Sequence, residues 1–197
     1  MANETNNINI TNPENTDALR PKLQIEQMGR MTTEEYKQSP KTPLVIVADE
    51  IRSLNNVGSL FRTADSFRLQ SLVLCGITGT PPNPEIHKTA LGAEYSVDWV
   101  LKESTLEAVR ELKAQGYVTL ALEQAVGSVM LQDLKVDPEA KYALVIGNEV
   151  HGVKQQVVDE CDVCVEIPQF GTKHSLNVSV STGIAIWEIV RHLRLGL

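Results

Sequence analysis

The sequence lacks any apolar run near the ~20 residues that a membrane-spanning helix needs. Its opening MANETNNINI has neither the basic start nor the apolar stretch of a secretory signal. The expected location is therefore cytoplasmic, with no membrane partner. Cysteine is scarce. Three thiols cannot all pair within one chain, and Cys75 sits inside the apolar run SLVLCGI, where a thiol serves as a small buried hydrophobe. A disulfide scaffold is not expected. An excess of basic residues is also absent, with 18 Lys and Arg against 25 Asp and Glu and a net charge of −7. Such a chain can hold a phosphate backbone only through a local patch, since the attraction depends on the few cations at the contact. Arg52, Arg62, Arg68, Lys88, Lys173 and His174 are the candidates.

Several cofactor fingerprints are missing as well: G-x-G-x-x-G after a strand, G-x-x-x-x-G-K-[ST], H-E-x-x-H and G-x-S-x-G. Their absence disfavours dinucleotide oxidoreductases, P-loop NTPases, zincins and α/β-hydrolases. Cys161 and Cys164 form a lone C-x-x-C with neither a second pair nor histidines at zinc spacing, so a structural role is expected and no metal. His87, His151, His174 and His192 are scattered, and none marks a catalytic site by its type alone.

What is present fits one domain and an arm. The 197 residues are 42% hydrophobic, enough for a substantial core. Residues 1–17, rich in Asn and Thr, cannot offset the entropy of ordering and are expected to be disordered. A helical fragment follows around Met31 to Tyr36, with a threonine cap and Glu35 in its first turn. The compact domain is expected at 43–197, after two prolines in four residues, leaving 1–42 as a partly disordered arm. Beyond Pro43, short apolar runs alternate with amphipathic stretches, the pattern of an α/β fold with a mostly parallel sheet flanked by helices. Strands are expected at 44–48, 71–77, 117–122, 143–146 and 163–167. Helices are expected from near Asn56 to Phe67, at 85–91, after a Ser104 to Glu107 capping box up to Gly116, and at 183–195.

Three segments place polar residues where strands give way to turns or helices, the usual location of sites in open sheets. The first runs from Asn56 to Arg62, and a plain helix with Asn56 as cap and Arg62 as a solvated charge would also explain it. The second is the turn 147–152, bracketed by Gly147 and Gly152, where glycine permits a close approach of backbone and ligand. Its plainer reading is a tight connection in which Glu149 helps cap the helix near Val153. The third, 167–183, is too polar for core and too long for a simple cap, and its hydroxyls and amides near a helix start suit anionic groups.

In order, these segments resemble the three motifs of the SpoU/TrmH branch of the SPOUT methyltransferases. N-x-G-x-x-x-R appears as Asn56, Gly58 and Arg62, G-x-E-x-x-G as Gly147, Glu149 and Gly152, and I-P…G…S-L-N-V-S-V starts at Ile167. The likeness covers Pro43 to the C-terminus. Ser181 stands where the family more often has alanine, and no large RNA-binding domain precedes Pro43. The resemblance implies a SPOUT-type α/β fold with a deep C-terminal trefoil knot, a homodimer built on the last helix, and transfer of methyl from S-adenosyl-L-methionine to a ribose 2′-hydroxyl of transfer or ribosomal RNA. It implies Arg62 as the catalytic arginine, Asn56 and Glu149 as orienting groups, and Ser175 and Asn177 as groups that place RNA phosphate or the reacting atoms. Leu122, Gly147, Ile167, Gln169 and Leu176 would hold the cofactor. Two other classes stay open: a knotted RNA-binding or assembly protein without turnover, and a metal enzyme using Cys161 and Cys164, which would carry stoichiometric metal.

Overall fold

A computed structural model describes residues 22–196; the disorder expected for residues 1–17 lies outside them. The chain divides into two compact units, Met1–Met31 and Thr32–Leu197. In the first, the described residues hold a single 3-10 turn, Ile25–Met28. The second begins upstream of the boundary expected at residue 43. Its first helix, α1 (Thr33–Gln38), starts on a full capping box between Thr32 and Glu35 and buries Tyr36 in the core.

The remaining elements are β1 (Thr42–Asp49), α2 (Leu54–Ser66), β2 (Leu69–Cys75), α3 (Pro84–Ala90), α4 (Ala93–Ser96), β3 (Trp99–Lys102) and α5 (Thr105–Ala114). They are followed by β4 (Tyr117–Leu122), β5 (Val129–Met130), β6 (Lys141–Ile146), α6 (Gln155–Glu160), β7 (Val163–Glu166) and α7 (Val178–Leu195). The strands form one sheet in the order β3-β2-β1-β6-β4-β7-β5, and every pairing between them is parallel. Alternation along β1 sorts the core into two layers. Leu44, Ile46 and Ala48 face a cluster with α2 and α7, while Val45 and Val47 face a cluster with α5 and α6. The continuous apolar runs of the sequence are strands covered on both faces. The helix after β1 lies on one face and the helix after β6 on the other, so the sheet changes winding between these two neighbours. A crevice opens at the carboxyl ends of strands at such a switch point.

Several boundaries differ from those the sequence suggested. Helix α2 is capped by Ser53, whose side chain accepts from the Asn56 N–H, so Asn56 lies inside the helix and is not its cap. Strand β2 ends two residues early because Gly76 turns left-handed (φ 58) and Ile77 is exposed. Strand β3 was not foreseen; as an edge strand it leaves Val100 and Leu101 in solvent and lacks alternation. Strand β5 and helix α4, equally unforeseen, are two and four residues long. Ser104 caps α5 as expected, but Glu107 pairs with Arg110 and does not complete the box. Helix α7 begins at Val178, not near Gly183. Its early hydroxyls bond to the helix backbone, Ser181 Oγ and Thr182 Oγ1 both donating to the Val178 carbonyl at 3.1 and 2.6 Å, so polar residues serve as helix there.

Gly58 is where α2 crosses α3. A Cβ there would lie 2.1 Å from Thr89 Oγ1 and 2.3 Å from the Ile86 carbonyl oxygen, and the latter is backbone that cannot rotate away. Gly58→Ala is expected to cost about 1–3 kcal/mol by overpacking and to lower the thermal midpoint by about 2–12 °C. An unchanged midpoint in a melting curve would show that α3 does not press on α2 this closely.

Candidate active site

The switch point is bridged by one carboxylate. Glu149, in the turn after β6, accepts hydrogen bonds at Oε2 from the Arg52 N–H (2.9 Å) and at Oε1 from the Ser53 N–H and Asn56 Nδ2 (2.9 Å each). It thus caps α2, 93 or more residues away in sequence, and does not cap the helix that follows it. Asn56 is buried, and its Oδ1 accepts from Asn177 Nδ2 at 3.2 Å. The Asn177 Oδ1 in turn accepts from the Ser179 N–H, Ser179 Oγ and the Val180 N–H, which caps α7. One chain of hydrogen bonds therefore runs from the glycine-bracketed turn through α2 to the start of α7, joining all three polar segments.

The turn itself is closed by paired backbone bonds between Asn148 and Gly152, at 3.0 and 2.9 Å. A Cβ on Gly147 would sit 2.1 Å from the Gly152 carbonyl carbon and the Val153 nitrogen, and Gly152 is left-handed at φ 67, so both positions require glycine. Asn148 Oδ1 accepts from the Val150 and His151 N–H groups, and its Nδ2 donates to the Glu50 carbonyl. Glu123 at the end of β4 accepts from the Val153 N–H at 2.9 Å and latches the far side.

Beside this network lies a cavity of about 760 Å³ at the carboxyl ends of β4, β6 and β7. Its wall contains Leu122, Gly147, Glu149, Ile167, Gln169, Ser175, Leu176 and Asn177, eight of the ten residues singled out in the sequence. Asn56 stands behind the wall, reached through Glu149 and Asn177. Arg62 does not line the cavity; it is exposed on α2. Among the described residues the paired arginines are Arg110 and Arg191, so Arg52, Arg62 and Arg68 enter no ion pair, and Lys173 enters none either. Lys88 is paired with Glu85. The wall holds Glu123, Glu149 and Glu166 but no Lys or Arg, which suits a cationic ligand, while Leu122, Ile146, Val165 and Ile167 supply apolar surface. The C-x-x-C thiols are held protonated: burial pushes Cys161 up to about 12 and raises Cys164, whose Sγ donates to the Glu123 carbonyl. Among the described residues no group of three or more His, Cys, Asp or Glu could hold a metal ion.

A family model described as the SpoU rRNA methylase family matches residues 43–187. The chain belongs to that family. A 23S rRNA (guanosine-2′-O-)-methyltransferase of Neisseria meningitidis is 32% identical over 149 residues, 76% of this chain and 58% of that protein. A mouse tRNA (guanosine(18)-2′-O)-methyltransferase is 36% identical over 155 residues, 78% of this chain but 10% of that one. Among solved structures, an AdoMet-bound rRNA methyltransferase from Sinorhizobium meliloti matches with TM-score 0.71 at 27% identity, covering 80% of this chain and 60% of its own. A TrmH/SpoU tRNA modifying enzyme of A. aeolicus matches with TM-score 0.72 at 27% identity, covering 83% and 81%. This SpoU family member thus spans less than two thirds of the length of several relatives.

Sequence reasoning missed Ser53, Glu123, Asn148 and Gln124, whose Nε2 donates to the His174 carbonyl. Asn148 carried a local signal, an asparagine ahead of a turn. Glu123 carried none, because its partner lies 30 residues away.

The Glu149 carboxyl is raised by burial, but bonds from the Arg52 N–H, the Asn56 amide and the Ser53 N–H outweigh this and hold it below the usual carboxylate range. A folded-state pKa below the unfolded one gives stability that is full above the unfolded value and is lost as pH falls through the folded value. Glu149→Gln is therefore expected to be less stable at neutral pH and to lose less further stability than the native chain from about pH 5 downward. Thermal melts across that range test this, and parallel acid profiles would show that Glu149 is not linked to folding.

Proposed function

We propose that this chain is an S-adenosyl-L-methionine-dependent RNA (ribose-2′-O)-methyltransferase acting on structured transfer or ribosomal RNA. The observation that carries the reading is the Glu149–Asn56–Asn177 relay, which ties the three family motifs into one wall beside a cavity free of Lys and Arg. Leu122, Gly147, Ile167, Gln169 and Leu176 would hold the cofactor, with the acidic lining favouring its positive charge. When bound, that cofactor supplies an activated methyl group on a cationic sulfur.

The work left to the protein is alignment and electrostatics. Arg62, uncommitted to any described ion pair and exposed on α2 outside the cavity wall, would supply the cation for the ribose oxygen as it loses its proton. A guanidinium stays charged at any working pH, so stabilising a forming alkoxide is its role, not removing the proton. Asn56 and Glu149 have their polar atoms engaged with each other, with Asn177 and with the N-terminus of α2, so they orient the site as a frame. Ser175, exposed on the wall, is free to meet RNA, and Arg52 and Lys173 give an acidic chain a local basic contact.

The catalytic domain in this reading is the 43–197 expected from the sequence together with α1, whose Tyr36 lies in its core. A C-terminal trefoil knot is supported by the strand order, since β6 and β7 enter between strands already laid down. A homodimer on α7 is supported by its exposed Val180, Ile184 and Trp187. A cytoplasmic location completes the reading, and no helix of the described residues is long and apolar enough to cross a membrane.

Labelled methyl transfer to unmodified transfer and ribosomal RNA, followed by nuclease mapping, is expected to place label in a 2′-O-methyl nucleotide; label on a base would refute the assignment. Arg62→Ala is expected to abolish transfer while cofactor affinity stays nearly intact. Near-normal transfer by that variant would remove Arg62 from the mechanism.

A further inference from the structure

Phe170 is 97% exposed. The other two phenylalanines are sheltered: Phe61 is fully buried, and Phe67 packs against the core and the Trp187 ring. An exposed aromatic ring in water gains nothing for the fold, so its place matters. It sits in the loop between β7 and α7, where Gln169 on one side and His174 to Asn177 on the other wall the cavity. The loop is tied across the cavity by the 2.7 Å bond from Gln124 Nε2 to the His174 carbonyl.

The surroundings of the ring are polar and cationic. Gly171, Thr172, Lys173 and His174 follow it, all exposed, and Lys173 enters no described ion pair. Arg52, also exposed and unpaired, is fixed to the same wall through its N–H bond to Glu149. A protein partner would call for a contiguous apolar patch. An exposed ring in a loop that also carries the uncommitted Lys173, on a wall to which Arg52 is tied by its backbone, has instead the chemistry of single-stranded RNA recognition, in which unstacked bases lie on aromatic faces and cations meet the flanking phosphates.

We propose that Phe170 is a stacking platform for an unpaired nucleobase of the substrate RNA, next to the ribose presented at the cavity, with Lys173 and Arg52 holding neighbouring phosphates. This rests on the RNA methyltransferase reading and adds that the target lies in a loop or bulge, where a base can leave its stack. Stacking on one aromatic ring is worth about 5- to 150-fold in affinity by alanine substitution.

The test compares the full chain with Phe170→Ala and Phe170→Tyr in methyl transfer to unmodified transfer and ribosomal RNA, alongside cofactor binding by calorimetry and particle mass by light scattering. The expected result is a KM for RNA raised at least about five-fold in Phe170→Ala, restored in Phe170→Tyr, with kcat, cofactor affinity and mass unchanged. An unaltered KM overturns the proposal. So does a changed mass, which would assign the ring to a contact between copies of the chain. If the native chain methylates neither RNA, the activity reading falls on its own, and filter binding of the same RNAs decides the stacking: weaker binding by Phe170→Ala supports it, and equal binding overturns it.

Discussion

The Glu149 carboxylate is the constraint on which the site depends. Helix α2 begins at the sheet's switch point with free N–H groups, as any helix does. Ser53 satisfies one of them, and Glu149 takes two backbone donors from the segment leading into the helix, bringing a negative charge to its positive end. The same oxygen that holds Ser53 also holds Asn56, which fixes Asn56 Oδ1 toward Asn177 and so sets the start of α7. Loss of this carboxylate would leave two backbone donors and a buried amide without partners, each costing about 1–3 kcal/mol if water cannot replace it.

The sheet explains why three segments far apart in sequence meet there. All seven strands run parallel, so the carboxyl ends of β1, β4, β6 and β7 open on one edge. Because β6 enters between β1 and β4, its turn reaches α2 on one side and Glu123 on the other. Gly147 and Gly152 make that double contact feasible, since any side chain at either would occupy the space of the turn's own backbone or of the Glu123 carboxylate. The cavity is thus a consequence of strand order and of two glycines, with the side chains of its wall added onto that frame.

Much of this was legible in the sequence because it is local. The apolar runs gave the central strands, Ser104 gave the start of α5, and the resemblance to the family motifs picked out residues of which the fold gathers eight in one wall. What was not legible is either long-range or dependent on an edge. Strand β3 has one neighbour and half-exposed side chains, so it shows no alternation. The start of α7 was hidden because Ser179, Ser181 and Thr182 look like loop residues, yet they spend their hydroxyls on Asn177 and on the helix backbone. Glu149 looked like a cap for the helix after it because the true partner, α2, is near only through the sheet.

Charge is divided between cavity and rim. The chain carries −7 overall, and some of the described lysines and arginines are engaged in surface pairs such as Arg110 with Glu160 and Lys154 with Glu50. Such pairs contribute little stability, about 0–1 kcal/mol each, but they keep those cations from acting as phosphate contacts. The uncommitted ones include Arg52 and Lys173 beside the cavity and Arg62 on the helix that Glu149 caps. In the proposed function, an acidic cavity next to free cations would sort two ligands of opposite charge, a positively charged small molecule inside and a polyanion at the mouth. The negative net charge argues against RNA only when read as a total; in the proposed function the contact rests on the few cations beside the cavity.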